Sequence, residues 1–103
     1  MRNETEMLVG YLVDLHCLRE WPQYLYSDKA RAHPTTCALK GSHVESGYAI
    51  IQDDEYPVIL DASATPLIVE ALVVANVDTG IRMRVEREMR DGQMRTVLVT
   101  TSE

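Results

Sequence analysis

The side chains of this 103-residue chain that can do soft-donor chemistry all fall in one stretch, His16 to Tyr48. They are His16, Cys17, His33, Cys37 and His43, which are every histidine and cysteine in the sequence. Imidazole and sulfur gathered in this way are what a transition-metal site, a redox pair or a thiol nucleophile requires. Four of them form the pattern C-x15-H-x3-C-x5-H, with Cys17, His33, Cys37 and His43 as the proposed ligands. Two thiolates and two imidazoles suit tetrahedral Zn²⁺, and Cu(I) is also accepted by such soft donors. His16 is a spare ligand, and Asp14 is a partner that orients a ligand from behind. No C-x-x-C-H run is present, so covalent c-type haem is excluded.

The same residues admit other readings. Cys17 and Cys37 could form a disulfide that ties the stretch to the strand before it. They could also be buried free thiols beside incidental histidines. A catalytic thiol would be Cys37, activated by His33 or His43 with Asp14 as orienter, but no cysteine-hydrolase signature flanks it. An enzyme therefore ranks behind a metal-binding domain and behind a module for an oligosaccharide, a peptide, another small ligand or a protein, and no catalytic residue is assigned. Tyr11, Tyr48 and Tyr56 are the residues such a module would expose.

These donors need a frame. Met7–Leu15 reads as a first strand, with Gly10 at a bulge or tight bend. Period two would place Val9, Tyr11, Val13, Leu15 and Cys17 on one face, and Asp14 and His16 on the other. Asp14 is then a half-exposed strand residue or a cap for the segment that follows. Residues 18–32 are irregular or briefly helical and hold Trp21, Tyr24 and Tyr26, read as a small satellite core. A short helix begins near His33 or Pro34 and sets His33 and Cys37 on one face. Gly41-Ser42 breaks it, which lets His43 swing back, and Gly47 stops the segment.

Gly47–Gln52 and Tyr56–Leu60 read as two strands joined at Asp53-Asp54-Glu55, with Pro57 marking an edge. Ser63–Ala75 reads as a largely buried helix with Thr65 as N-cap and Pro66 at its first position. Ile81–Met89 alternates cleanly except at Arg87, Asp91-Gly92 signals a type I′ hairpin, and Gln93–Thr101 returns. The expected fold is mainly β. It is an OB-like barrel of five strands, with a helix between strands 3 and 4 and a helical insertion between strands 1 and 2. One domain spans 1–103, and the insertion spans about 16–47. An α+β sandwich is the alternative.

Composition narrows the partners. A net charge of −6 disfavours nucleic acid, whose binding rests on clustered Lys and Arg. Arg82, Arg84, Arg87, Arg90 and Arg95 alternate with acids as a solvated face. No apolar run is long enough for a spanning helix. MRNETE carries no signal-peptide core, so the chain reads as cytosolic or as one whose leader has been removed.

The segments GYLVDLHC and HPTTCALKGSHVESGYAII resemble a group of small, largely uncharacterised bacterial OB-like domains. That group has a G-x-x-x-D-x-x-C strand followed by H-T-T-K-C-A-L-M-P-x-C-A-x-S-G-Y-G-I. The likeness covers roughly residues 10 to 52. Gly10, Asp14 and Cys17 match the first motif; His33, Cys37, Ala38, Leu39, Ser46, Gly47, Tyr48 and Ile50 match the second. His43 stands where the group has a third cysteine, an exchange that keeps a metal ligand and removes a redox role. Gly41 and Ala49 also depart from the pattern. The resemblance implies frequent export or lipid anchoring and brings no established activity.

Overall fold

A computed structural model describes residues 4–53 and 56–102. Five antiparallel strands form one sheet: β1 (Thr5–Asp14), β2 (Tyr48–Ile51), β3 (Pro57–Ile59), β4 (Arg82–Arg90) and β5 (Gln93–Thr101). Their spatial order is β3-β2-β1-β4-β5. Four short α-helices and one 3-10 turn (Gln23–Leu25) lie between β1 and β2: α1 (Leu15–Leu18), α2 (Tyr26–Ala32), α3 (Thr35–Ala38) and α4 (Gly41–Ser46). A longer helix, α5 (Ala64–Val74), joins β3 to β4. None of the described helices is long and apolar enough to cross a membrane.

The expected barrel is not closed. Closure would need the two edge strands, β3 and β5, to pair, and they do not. β3 has only three residues and begins at Pro57, which has no N–H to donate. The edges are instead linked by a side chain. Asp61, just after β3, accepts hydrogen bonds from the Thr96 backbone N–H (3.0 Å) and hydroxyl (2.7 Å) on β5. Thr96 lies where the β4–β5 register shifts between Glu86 and Arg87, the position at which the alternation of β4 falters. Arg87 there pairs with Glu6 of β1.

β1 divides its two edges between partners. Residues Thr5 to Tyr11 pair with β4, and Tyr11 to Asp14 pair with β2. This strand is covered on both sides. Leu8 and Leu12 join Ile50, Met83, Val85, Ile68 and Leu72 in the main core under α5. Val13 joins Ala49, Ile51, Leu18 and Ala30 in a second core under the insertion, flanked by Trp21 and Tyr26. Two-sided burial explains why β2, YAII, is an unbroken apolar run without alternation.

Several expectations are refined. Gly10 sits in a continuous ladder, and its role is close approach: a Cβ there would lie 2.2 Å from the Ile51 carbonyl oxygen. The α5 helix begins at Ala64 and buries one face only, leaving Val73 and Val74 exposed. Tyr24 is also exposed and stands apart from the satellite core. The Asp91-Gly92 hairpin has positive φ at both residues, 52° and 80°, as type I′ requires. Of the expected Asp53-Asp54-Glu55 turn, Asp54 and Glu55 lie outside the described residues. Gly10→Ala is expected to cost about 3 kcal/mol or more, as overpacking against immobile backbone does. Urea denaturation measures this directly, and an unchanged midpoint would contradict the close β1–β2 approach.

Candidate metal centre

Asp14 ends β1 and starts α1. Its Oδ2 accepts the backbone N–H of Cys17 at 2.9 Å, an N-cap bond that satisfies one of the free donors of the helix's first turn. The capping alternative is therefore the one realised, and Asp14 is fully buried where half-exposure was expected. The chain turns helical after Asp14, so Cys17 lies on α1 and does not continue the strand face.

The remaining donors come from three further pieces of the insertion. His33 is not on a helix; it is the extended residue between α2 and α3, followed by Pro34. The 77–80 loop straps it in place. The Gly80 N–H donates to the His33 carbonyl (3.1 Å), Thr35 N–H to Asp78 O (2.9 Å), and the Thr35 hydroxyl to Val77 O (2.7 Å). Gly80 has φ +62°, and a Cβ there would lie 2.4 Å from Arg31 O, so glycine is required. Cys37 sits on α3, whose Ala38 carbonyl accepts a 2.6 Å hydrogen bond from the buried Tyr48 hydroxyl. His43 is carried by α4, which starts at Gly41 and returns the chain toward α1 as the Gly41-Ser42 break suggested.

Asp14 is the hub. Its Oδ1 lies 3.0 Å from His33 Nε2, and its Oδ2 lies 3.0 Å from His43 Nδ1. His43 Nδ1 is also 3.5 Å from Cys17 Sγ. Asp14 Oδ1 and His33 Nε2 are both buried, face each other at 3.0 Å, and have no hydrogen-bond partner. Buried polar atoms are ordinarily paired, and two unpaired donors at ligand-to-ligand spacing suit a shared cation. No Lys or Arg among the described residues forms an ion pair with Asp14.

The donors form two overlapping sets in which all ligand atoms lie within 4.8 Å of one another. One is Cys17, His33 and Cys37; the other is Asp14, His16, Cys17 and His43. The proposed quartet thus divides, with Cys17 common to both sets and no set holding both Cys37 and His43. His16 meets the distance criterion but is exposed, and its ring stacks on His43 with centroids 4.2 Å apart and planes at 20°. In-plane lone pairs of near-parallel rings do not converge on one ion, so His16 shields His43 in this conformation. Both cysteines are free thiols, so the Cys17–Cys37 disulfide is not present.

Burial pushes the Asp14 carboxyl up, but the His33 contact and the Cys17 N–H outweigh it and hold the group at about 2. Burial, then the Asp14 charge, raise the Cys17 thiol to about 12, so in the metal-free protein it is protonated and a poor nucleophile. Burial, then the same charge, raise Tyr48 to about 12. Tyr48 is thus an interior residue and not part of an exposed binding patch; Tyr11 is half-buried, with Arg82 over its ring at 4.9 Å.

Three further residues, none assigned to the site from the sequence, support it. Ser46 Oγ accepts the His16 N–H (3.0 Å) and donates to the His43 carbonyl (2.6 Å), joining α1 to α4. Trp21 meets His33 edge-on at 5.5 Å between centroids. The Tyr48 hydroxyl anchors α3. Comparison with family models, curated proteins and solved structures finds no match to this chain.

The Asp14 carboxyl, lowered from 3.8 to about 2, stabilises the fold above its unfolded value. In metal-free protein that contribution, about 2 kcal/mol, is expected to be lost as pH falls from about 4 to about 2. Urea midpoints across that range measure it, and Asp14→Asn should flatten the dependence.

Proposed function

We propose that this chain is a small metal-binding domain whose Cys/His/Asp cluster takes a transition metal, Zn²⁺ in preference to Cu(I), in a structural or sensing role. The observation that carries this reading is the buried pair Asp14 Oδ1 and His33 Nε2, 3.0 Å apart and without hydrogen-bond partners, beside two free thiols. Cys17, His33, Cys37 and His43 are the ligands, with Asp14 among them. A hard carboxylate within a sulfur and imidazole set favours Zn²⁺ over the softer Cu(I).

The structural role follows from what the donors hold together. The insertion's helices run four to seven residues, too short to persist on their own. Metal bound across α1, the α2–α3 junction, α3 and α4 would tie all four to the end of β1. Its binding energy would then be folding energy. The likeness to the bacterial OB-like group agrees with this reading, since the matched positions include Asp14, Cys17, His33 and Cys37.

Chelation of zinc-loaded protein, Cys37→Ser and His43→Ala are each expected to lower bound metal and melting temperature together. The expected loss is roughly 10 °C or more, taking several kcal/mol at about 4–8 °C per kcal/mol. Elemental analysis with a thiol count and a thermal melt on the same sample tests this. Absence of metal after incubation with Zn²⁺, or variants that melt like the parent, would overturn the reading. Because Cys17 is protonated in the metal-free state, apparent Zn²⁺ affinity should rise with pH through neutrality, by up to about tenfold per unit for each proton released.

A further inference from the structure

Resting on that metal-binding reading, we propose that the cluster is a two-ion centre in which the Cys17 thiolate bridges the ions. The geometry of the donors points to this division. Zn–N and Zn–S bonds of about 2.1 and 2.3 Å put neighbouring ligand atoms roughly 3–4 Å apart, and a Cys–His pair never more than about 4.4 Å. Cys37 and His43 share no set even at the wider 4.8 Å limit, so one ion does not reach both without the backbone moving. Each forms a compact set with Cys17, which belongs to both.

Asp14 repeats the division at the level of single atoms. Its Oδ1 faces His33 and its Oδ2 faces His43, each at 3.0 Å. The carboxylate thus belongs to the His43 set through Oδ2, while Oδ1 holds the His33 ring of the other set in place. Oδ1 has no hydrogen-bond partner, and Oδ2 has spent one lone pair on the Cys17 N–H and keeps another.

The first ion would be held by Cys17, His33 and Cys37, with its fourth position taken by a water molecule. The second would be held by Cys17, His43 and Asp14 Oδ2. Its fourth position lies on the side of His16, the exposed member of the set, and would take His16 after a ring rotation or a water molecule. Both thiols release their protons on loading. Two thiolates and a carboxylate then leave two Zn²⁺ ions with one residual positive charge. Both ions would hold helices of the insertion together, the one on Cys17 and Cys37 exchanging slowly and the one on His43, with a single thiolate, exchanging faster.

Native mass spectrometry of the full chain with excess Zn²⁺ gives the count without any variant. Two ions per chain are expected, with one retained in Cys37→Ser, one retained in His43→Ala, and the ion of His43→Ala released more slowly to a chelator than the ion of Cys37→Ser. With cadmium as the NMR probe, two resonances coupled through a shared sulfur are expected. Saturation at one ion would overturn the two-ion centre while leaving the metal-binding reading intact. Two ions retained in His43→Ala, or two uncoupled cadmium resonances, would overturn the assigned bridging. No ion at all would overturn both readings.

Discussion

The insertion is built around one buried negative charge. Asp14 is inaccessible to solvent and sits at the point where the central strand becomes a helix. Removing a carboxylate from water costs several kcal/mol unless its lone pairs are met. One backbone N–H and two imidazoles gather around it, from segments 3, 19 and 29 residues downstream. Satisfying that charge requires α1, the α2–α3 junction and α4 to converge, and the second hydrophobic core under Val13 and Ile51 forms as they do. Charge compensation and apolar burial thus select the same arrangement of four helices too short to specify it alone.

Much of this was legible in the sequence. The hairpin at Asp91-Gly92, the return strand Gln93–Thr101 and the helix after Ser63 rest on local chemistry, and their bounds shifted by a residue or less, although the helix is capped at Ser63 and not at the expected Thr65. That the five soft donors gather in one region was readable from their types and their confinement to one stretch, but not that they divide into two sets sharing Cys17. Asp14 was harder. A period-two pattern says which way a side chain points but not what covers that face, and here the cover is the insertion itself. The D-x-x-C spacing did carry the cap, since Asp three residues before Cys17 reaches its N–H.

That the sheet stays open, and is not the expected barrel, was not legible because the order of elements is the same in both cases. What decides is the length of β3 and whether its backbone meets β5. Three residues led by Pro57 give too little ladder, and α5 packs against β5 and the main core instead. His33 illustrates the same limit at the site. His33-x3-Cys37 fits one turn of helix, but Pro34 imposes extended backbone on the residue before it. That turns the imidazole toward Asp14 from a junction and not from a helical face.

The Asp61–Thr96 contact has a consequence for how the molecule behaves among copies of itself. An outermost strand with open amides is a template on which another chain can add a strand, the first step toward aggregation. On β5 the carboxylate takes the Thr96 amide out of play at the middle of the strand, beside a register shift that bends the ladder. An incoming strand would find the hydrogen-bonding row interrupted there. A contact that fails to close a barrel thus serves as a guard against intermolecular pairing, protecting an open sheet that would otherwise be adhesive.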